Sequence, residues 1–407
     1  MGNEAEDINA KYDKLQMENE GLYPESKSPE ITLADCGKYK SLTIPHKADT
    51  AYLGHGYFRY IGKYPPQIVS FLLNQYNISG PIADTMCGGG TTLIEAKLRG
   101  IDVDGSDINP ISRLICEAVT QPLKPEYLDK HVKEFIKFLD VNLSVDPLFI
   151  HRRKTSTPIK LKYCQEYFDD QTLCDIACYQ KQSMEYPESI QKLFNLTLFA
   201  ILRRVSRANI KKMNLEIDDT KLNQETVLKA ATKHLQLIRD LNRDYYKWQS
   251  KSKVKIYAEN AEKVSLKANH YEAVFLHPPY LTNTAFSEFT QLQLALVNIN
   301  HKDVWKQELR CRGSFMHEPN GLKKYLIGWS KIMQEAYRIL KPGGYLFTVV
   351  GDGQIDFVRI PIGAITEEFG TDLGLKFIDR YIHMLNNHTG QTQSRKMKGQ
   401  HIAVFQK

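Results

Sequence analysis

No stretch of this 407-residue chain stays apolar over the roughly 18 residues that a membrane-spanning helix needs. A bundle of such helices is therefore excluded from the expectations. The first residues, MGNEAEDINAKYDKLQ, lack the apolar core of a secretory signal, and Glu6 stands where a myristoylation motif carries Ser or Thr. Cysteine is sparse: Cys36, Cys87, Cys116, Cys164, Cys174, Cys178 and Cys311 form no CxxC pair, and their odd number prevents complete pairing. Reduced thiols and a cytoplasmic location are the expectation. Cys164, Cys174 and Cys178 fall close together, but no His follows at zinc-finger spacing, so no metal site is expected. Internal repeats are also lacking, which argues against a solenoid.

What is present reads as a globular chain, with 42% apolar and 25% charged residues and a net charge of +7. That charge permits a nucleic-acid partner without demanding one, because its placement decides. Residues 1–50 are richer in acids than bases and read as a loosely anchored N-terminal arm. From Tyr57 the pattern turns to strand, glycine turn and helix: Ile82-Ala83-Asp84 leads into MCGGGTT, a helix runs to Leu98, and a second strand ends at Asp107. This is a βαβ reading. Between about 121 and 250 the segments LDKHVKEFIKFLD, ESIQKLFNLTLFAILRRV and ETVLKAATKHLQLIRDLNRDYY place apolar residues at three- and four-residue spacing, so helices are expected there. Strands return at Val254–Tyr257 and Ala273–Leu276, and again around Tyr345–Val350, Phe377–Ile382 and His401–Phe405. The simplest assembly is an α/β, Rossmann-like, doubly wound sheet (51–120 and 251–407) interrupted by a mostly helical insert over 121–250.

In such a sheet, ligands settle beyond the carboxyl ends of the strands, where the strand order reverses. Four features fall at strand ends here. The first, Asp84-Thr85-Met86-Cys87-Gly88-Gly89-Gly90-Thr91, has glycines that let backbone amides approach the amino-acid end of a nucleoside cofactor. The second ends in Asp107-Ile108, with a carboxylate suited to ribose hydroxyls. A nicotinamide dinucleotide fits less well, because Leu93 occupies the position of the third glycine of GxGxxG. Asn260, after the strand 254–257, is a candidate for an adenine edge. The fourth feature is His277-Pro278-Pro279-Tyr280, which closes an apolar strand. An exocyclic base amine is a poor nucleophile, since its lone pair is delocalised into the ring. A hydrogen-bond acceptor, a rigid backbone carbonyl and an aromatic face together suit that task.

The ordered set DTMCGGGTTLIEA, GSDINPIS, HPPY followed by FSEFTQLQLALV, and YRILKPGGYLFTVVGDG resembles the site-specific DNA amino-methyltransferases that modify adenine or cytosine. The resemblance covers roughly 50–119 and 254–407. It implies a Rossmann-like methyltransferase fold, S-adenosyl-L-methionine as cofactor, and double-stranded DNA as substrate. Asp84, Gly88 and Gly90 match the family's cofactor loop, Asp107 its ribose-binding acid, and His277 to Tyr280 its catalytic tetrapeptide. The segment HGYFRYIGKYPPQIVSFLL resembles the part that closes over the methionine moiety, with Pro65 and Pro66 opening a helix. Two departures stand out. Met86 replaces the usual Phe, and His277 stands where adenine enzymes carry Asp or Asn and cytosine enzymes carry Ser. The target base therefore stays open. A neutral imidazole accepts a hydrogen bond and a protonated one does not, so activity is expected to decline below about pH 6.5.

The insert has more bases than acids, and Arg203, Arg204, Arg207, Lys211 and Lys212 form its densest cluster, a candidate for phosphate contacts. The polar, basic stretch from His383 to Gln400 is a second candidate. A cognate restriction endonuclease is a conceivable companion. Two rival readings stand beside this one. RNA amino-methylation uses similar Pro-Pro-Tyr sites, and a silent DNA-binding subunit with a methyltransferase fold would treat His277 as a trace of lost chemistry.

Overall fold

A computed structural model describes residues 31–45, 48–143, 159–210, 215–218, 220, 225–248, 250–281, 285–309, 318–384 and 399–407. Eleven strands are found among these residues. They are β1 (Thr32–Asp35), β2 (Lys40–Thr43), β3 (Ile82–Asp84), β4 (Val103–Ser106), β5 (Val254–Tyr257), β6 (Tyr271–Leu276), β7 (Leu340–Val350), β8 (Gly353–Ile355), β9 (Val358–Ile360), β10 (Lys376–Met384) and β11 (Gly399–Gln406). Nine of them form one sheet in the order β1-β2-β10-β11-β7-β6-β3-β4-β5. The run from β7 to β5 is parallel throughout, and β11 lies antiparallel between β7 and β10. Parallel strands covered on both faces need continuous apolar side chains, and β3 and β6 supply them: Ile82, Ala83, Val274, Phe275 and Leu276 are all buried.

The chain enters at β3 and steps outward to β4 and β5, then returns to the opposite flank of β3 with β6 and β7. The order thus reverses between β3 and β6. Their register pairs Asp84 with Phe275, so the loops that follow both strands emerge side by side. This is the Rossmann-like methyltransferase sheet expected from the sequence, with an antiparallel strand next to its last parallel one.

Among the described residues, five long helices lie between β4 and β5: Pro110–Val119, Pro125–Leu143, Asp170–Ser183, Glu188–Val205 and Val227–Lys247. Asn109, Asp169 and Thr226 cap three of them by accepting a backbone N–H with their side chains. Their apolar stripes meet around Phe135, whose ring stacks on Phe194 at 4.1 Å between centroids. The same apolar cluster takes in Tyr52, Tyr57 and Tyr60 from upstream and Leu292–Leu296 from downstream. Polar ties reinforce the junction: Tyr57 donates to Asn242 at 3.0 Å, and Gln293 donates to the Phe199 carbonyl at 3.0 Å. The helical segment therefore shares its core with the segments that flank the site.

The end of the arm is anchored, contrary to expectation. Residues 40–43 add a parallel strand beside β10, Leu42 is fully buried, and Lys40 pairs with Asp379 at 2.5 Å. The acidic composition of residues 1–50 gave no sign of this strand. Among the described residues no helix is long and apolar enough to cross a membrane.

Candidate active site

The site grows from the ends of β3, β4 and β6. Beyond Asp84 the backbone reaches positive φ at Gly88 (49°) and Gly90 (81°), a conformation that glycine tolerates best. The Gly88 N–H donates to Asp107 Oδ2 at 2.9 Å and the Asn109 N–H to Asp107 Oδ1 at 2.8 Å, which ties the glycine loop to the end of β4. Each carboxylate oxygen keeps a second lone pair for a ligand hydroxyl. Burial pushes the Asp84 and Asp107 carboxyls up to about 6.

Together these loops enclose a cleft of about 820 Å³, open solvent included. Of the expected cofactor residues, Asp84, Met86, Cys87, Gly88, Thr91, Asp107, Ile108 and Asn260 line it. Gly90 does not. It starts the helix Thr91–Leu98, and an added Cβ there would sit 3.2 Å from both Cys116 Sγ and a Val119 methyl, so its role is close packing. From the tetrapeptide, His277 and Pro279 line the cleft, whereas Pro278 and Tyr280 do not. Asn260 spends part of its amide within the protein, donating to the Gln307 carbonyl and accepting from the Glu262 N–H.

His277 is held from two sides. Tyr64 meets its ring edge-on at 4.8 Å, and the Tyr280 hydroxyl lies 2.8 Å from Nε2, which leaves Nδ1 as the ring nitrogen available to a substrate. Burial lowers the imidazole pKa to about 3. The ring is thus neutral across the whole working range, and the decline near pH 6.5 expected from free histidine does not apply to it. On its far side the Tyr280 oxygen accepts from the Gln400 amide at 2.6 Å, and Gln400 Oε1 lies 2.9 Å from His383 Nδ1. The Pro279 carbonyl is occupied by the Tyr325 hydroxyl at 3.0 Å.

Sequence reasoning missed much of the wall. Tyr60 covers the glycine loop, donor or acceptor to Ser112 at 2.9 Å and stacked on Phe286. It is carried there by a buried tether, in which Tyr52, His55 and Arg99 all converge on the Glu95 carboxylate. Glu259, Glu262 and Glu308 add acid to the cleft, and burial pushes Glu308 up to about 7. Glu259 and Glu262 flank Asn260 and could have been read as strand-end residues. Glu308 carried no local signal, since the chain folds it back from far beyond β6.

The basic cluster is only partly assembled. Arg204 pairs with Glu225 at 2.6 Å, Arg203 is half-buried, and Arg207 is exposed. Lys211 and Lys212 lie outside the described residues, as does most of the His383–Gln400 stretch.

A model of the D12 class N6 adenine-specific DNA methyltransferases matches residues 65–309, which include the glycine loop, Asp107, the helical segment and His277–Tyr280. The chain belongs to this family. It is therefore an enzyme that methylates an amino group in DNA, and the RNA and silent-subunit readings give way. Type II methyltransferase M.MvaI of Kocuria varians is 21% identical over 378 residues, 79% of this chain and 81% of the relative. Type II methyltransferase M.MjaII of Methanocaldococcus jannaschii is 30% identical over 146 residues, 35% of this chain and 27% of its own length. A solved S-adenosylmethionine-dependent methyltransferase from Methanosarcina mazei aligns at a TM-score of 0.33 and 13% identity, covering 85% of this chain and 98% of that one.

Proposed function

We propose that this methyltransferase binds S-adenosyl-L-methionine in the cleft and methylates N6 of an adenine that swings out of duplex DNA into contact with His277–Tyr280. The observation that carries this reading is that His277 and Pro279 open into the same cleft as the loop from Asp84 to Thr91 and Asp107. A methyl donor held by that loop then faces an amine held at the end of β6.

The chemistry of the wall fits the cofactor. Among the described residues, Asp84, Asp107, Glu259, Glu262 and Glu308 line the cleft together with one cation, Lys63, whose pKa burial lowers to about 8. Such a surface attracts a sulfonium and an ammonium and repels a pyrophosphate, which also disfavours a dinucleotide. In this reading Asp107 takes the ribose hydroxyls and Asn260 the adenine edge, since both line the cleft. When bound, the cofactor supplies an electrophilic methyl carbon. The amine nitrogen that takes this methyl would release one proton to water. With the Gln400 amide turned so that Tyr280 donates to it, His277 Nδ1 is the acceptor that orients the amine N–H and favours the pyramidal form that can attack. Tyr280, which does not line the cleft, acts through His277, whose Nε2 its hydroxyl approaches at 2.8 Å.

Arg204 and Arg207 are the described members of the cluster proposed to meet phosphates, while Arg203 is largely spent in packing. The names of the Type II relatives support a companion restriction endonuclease. The deciding experiment is expression in a host without DNA methylation, followed by modification-sensitive sequencing. Methyladenine at a recurring site supports the proposal, methylcytosine overturns the choice of base, and an equal yield from His277→Ala removes the tetrapeptide from the chemistry.

A further inference from the structure

The helix Gly321–Ile339 runs back along β6 against the strand's direction. Its last turn lies at the start of that strand, where the Arg338 and Ile339 carbonyls accept from the Asn269 and His270 N–H groups at 3.0 and 2.9 Å. Its first turns therefore come level with the carboxyl end of β6 and the tetrapeptide that follows. Tyr325, Trp329, Ile332, Met333 and Ala336, at three- and four-residue spacing, are buried along one face. Two of them carry polar groups into that core, and both groups are partnered. Trp329 Nε1 donates to Thr366 Oγ1 at 2.9 Å, on the helix Ile362–Asp372, and the Tyr325 hydroxyl donates to the Pro279 carbonyl at 3.0 Å.

Phe at position 325 would fill the same volume with no hydroxyl to desolvate, so the hydroxyl has to be explained by what it holds. The ladder between β6 and β7 gives out at Leu276, opposite Thr348. Beyond it, Pro278 and Pro279 have no N–H with which to fasten the backbone. The carbonyl that Tyr325 takes belongs to the peptide unit that begins Tyr280, and the Tyr280 hydroxyl in turn meets His277 Nε2 at 2.8 Å. Pro279 and His277 line the cleft, whereas Tyr325 stands behind them.

We infer that Tyr325 is a positioning residue for methyl transfer: its hydroxyl fixes the plane of the Pro279–Tyr280 peptide, and with it the direction of Tyr280 and of the His277 ring. The inference rests on the reading that His277–Tyr280 hold the target amine. A displacement of about 1 Å at a reacting centre lowers a rate on the order of a hundredfold. One buried hydrogen bond behind the tetrapeptide thus acts on the chemistry without touching substrate or cofactor.

Tyr325→Phe removes the bond and keeps the ring. Single-turnover methylation at saturating cofactor and duplex is expected to slow by about tenfold, while the Kd for each stays within about twofold of wild type, the pattern of an interaction that counts only in the transition state. Installing 4-aminophenylalanine at position 325 restores an N–H donor on the same ring and is expected to bring back most of the lost rate. Tyr179→Phe is the control, since it too takes a buried hydroxyl from a carbonyl, that of Phe194 at 2.9 Å in the helical segment. It is expected to lower the melting temperature as Tyr325→Phe does and to leave the rate unchanged. A wild-type rate for Tyr325→Phe overturns the inference, as does equal slowing by Tyr179→Phe or a loss that 4-aminophenylalanine fails to repair. Failure of the underlying reading shows differently: His277→Ala then keeps full activity, whatever Tyr325 does.

Discussion

The hydroxyl of Tyr280 lies 2.8 Å from Nε2 of His277, and the Gln400 amide approaches the same hydroxyl at 2.6 Å from the other side. A hydrogen-bonded chain of this kind has two complete settings. With the Gln400 N–H donating to Tyr280, the hydroxyl proton turns to His277 Nε2 and Nδ1 becomes a donor. With the amide turned over, Tyr280 donates to Gln400, His277 keeps its proton on Nε2, and Nδ1 becomes the acceptor that amine transfer calls for.

Gln400→Glu is expected to favour the second setting, since a carboxylate only accepts, and to retain kcat. Gln400→Leu and Tyr280→Phe remove the control and are expected to lower kcat by about tenfold, while His277→Ala loses about a hundredfold. Single-turnover methylation at saturating cofactor measures each. If Gln400→Glu falls as far as Gln400→Leu, the tautomer argument is wrong.

The pH profile should divide between binding and chemistry. Burial raises Asp84 and Asp107 to about 6 and Glu308 to about 7, so all three are charged at pH 8 and lose charge as pH falls through 7 to 6. Attraction for a cationic cofactor falls with them, and its Kd is expected to rise on the order of tenfold between pH 8 and 5.5. Lys63, at about 8, adds repulsion on the same side as it protonates. His277, lowered to about 3, leaves kcat level over this range. Titration calorimetry with single-turnover rates at each pH tests both halves, and a kcat that drops near 6.5 contradicts the structure.

Gly89→Ala should damage the cofactor loop without touching a polar group. The new methyl would lie 2.6 Å from Tyr60 Cβ, and Tyr60 is confined by Ser112 and Phe286. We expect about 1–3 kcal/mol of destabilisation in denaturant unfolding, together with weaker cofactor binding.

Replacing Arg204 and Arg207 with Ala should weaken duplex binding and reduce the slope of log affinity against log salt by about one to two. Loss at low salt with an unchanged slope would mean that these residues act through packing.

The strand-turn-helix order, the glycine turn, Asp107 at a strand end and the apolar strand that stops at His277 were all legible, because each is a short local pattern with its own physical reason. His277 stood out as a departure from the family's pattern. Its titration was not legible, since a pKa near 3 comes from burial against residues as distant as Tyr64. Gly90 was misread for a similar reason: its contacts are Cys116 and Val119, on a later helix.

By itself, then, the order of residues determined which strands exist, where they stop and which chemistry waits at their ends. Only tertiary structure decided which ends meet. Pairing Asp84 with Phe275 joined two loops nearly two hundred positions apart into one cleft, and long-range folding brought Glu308 to it and Gln400 to the Tyr280 hydroxyl. It also drew residues 40–43 out of an acidic arm and into the sheet, because unpaired backbone groups beside β10 are satisfied best by another strand.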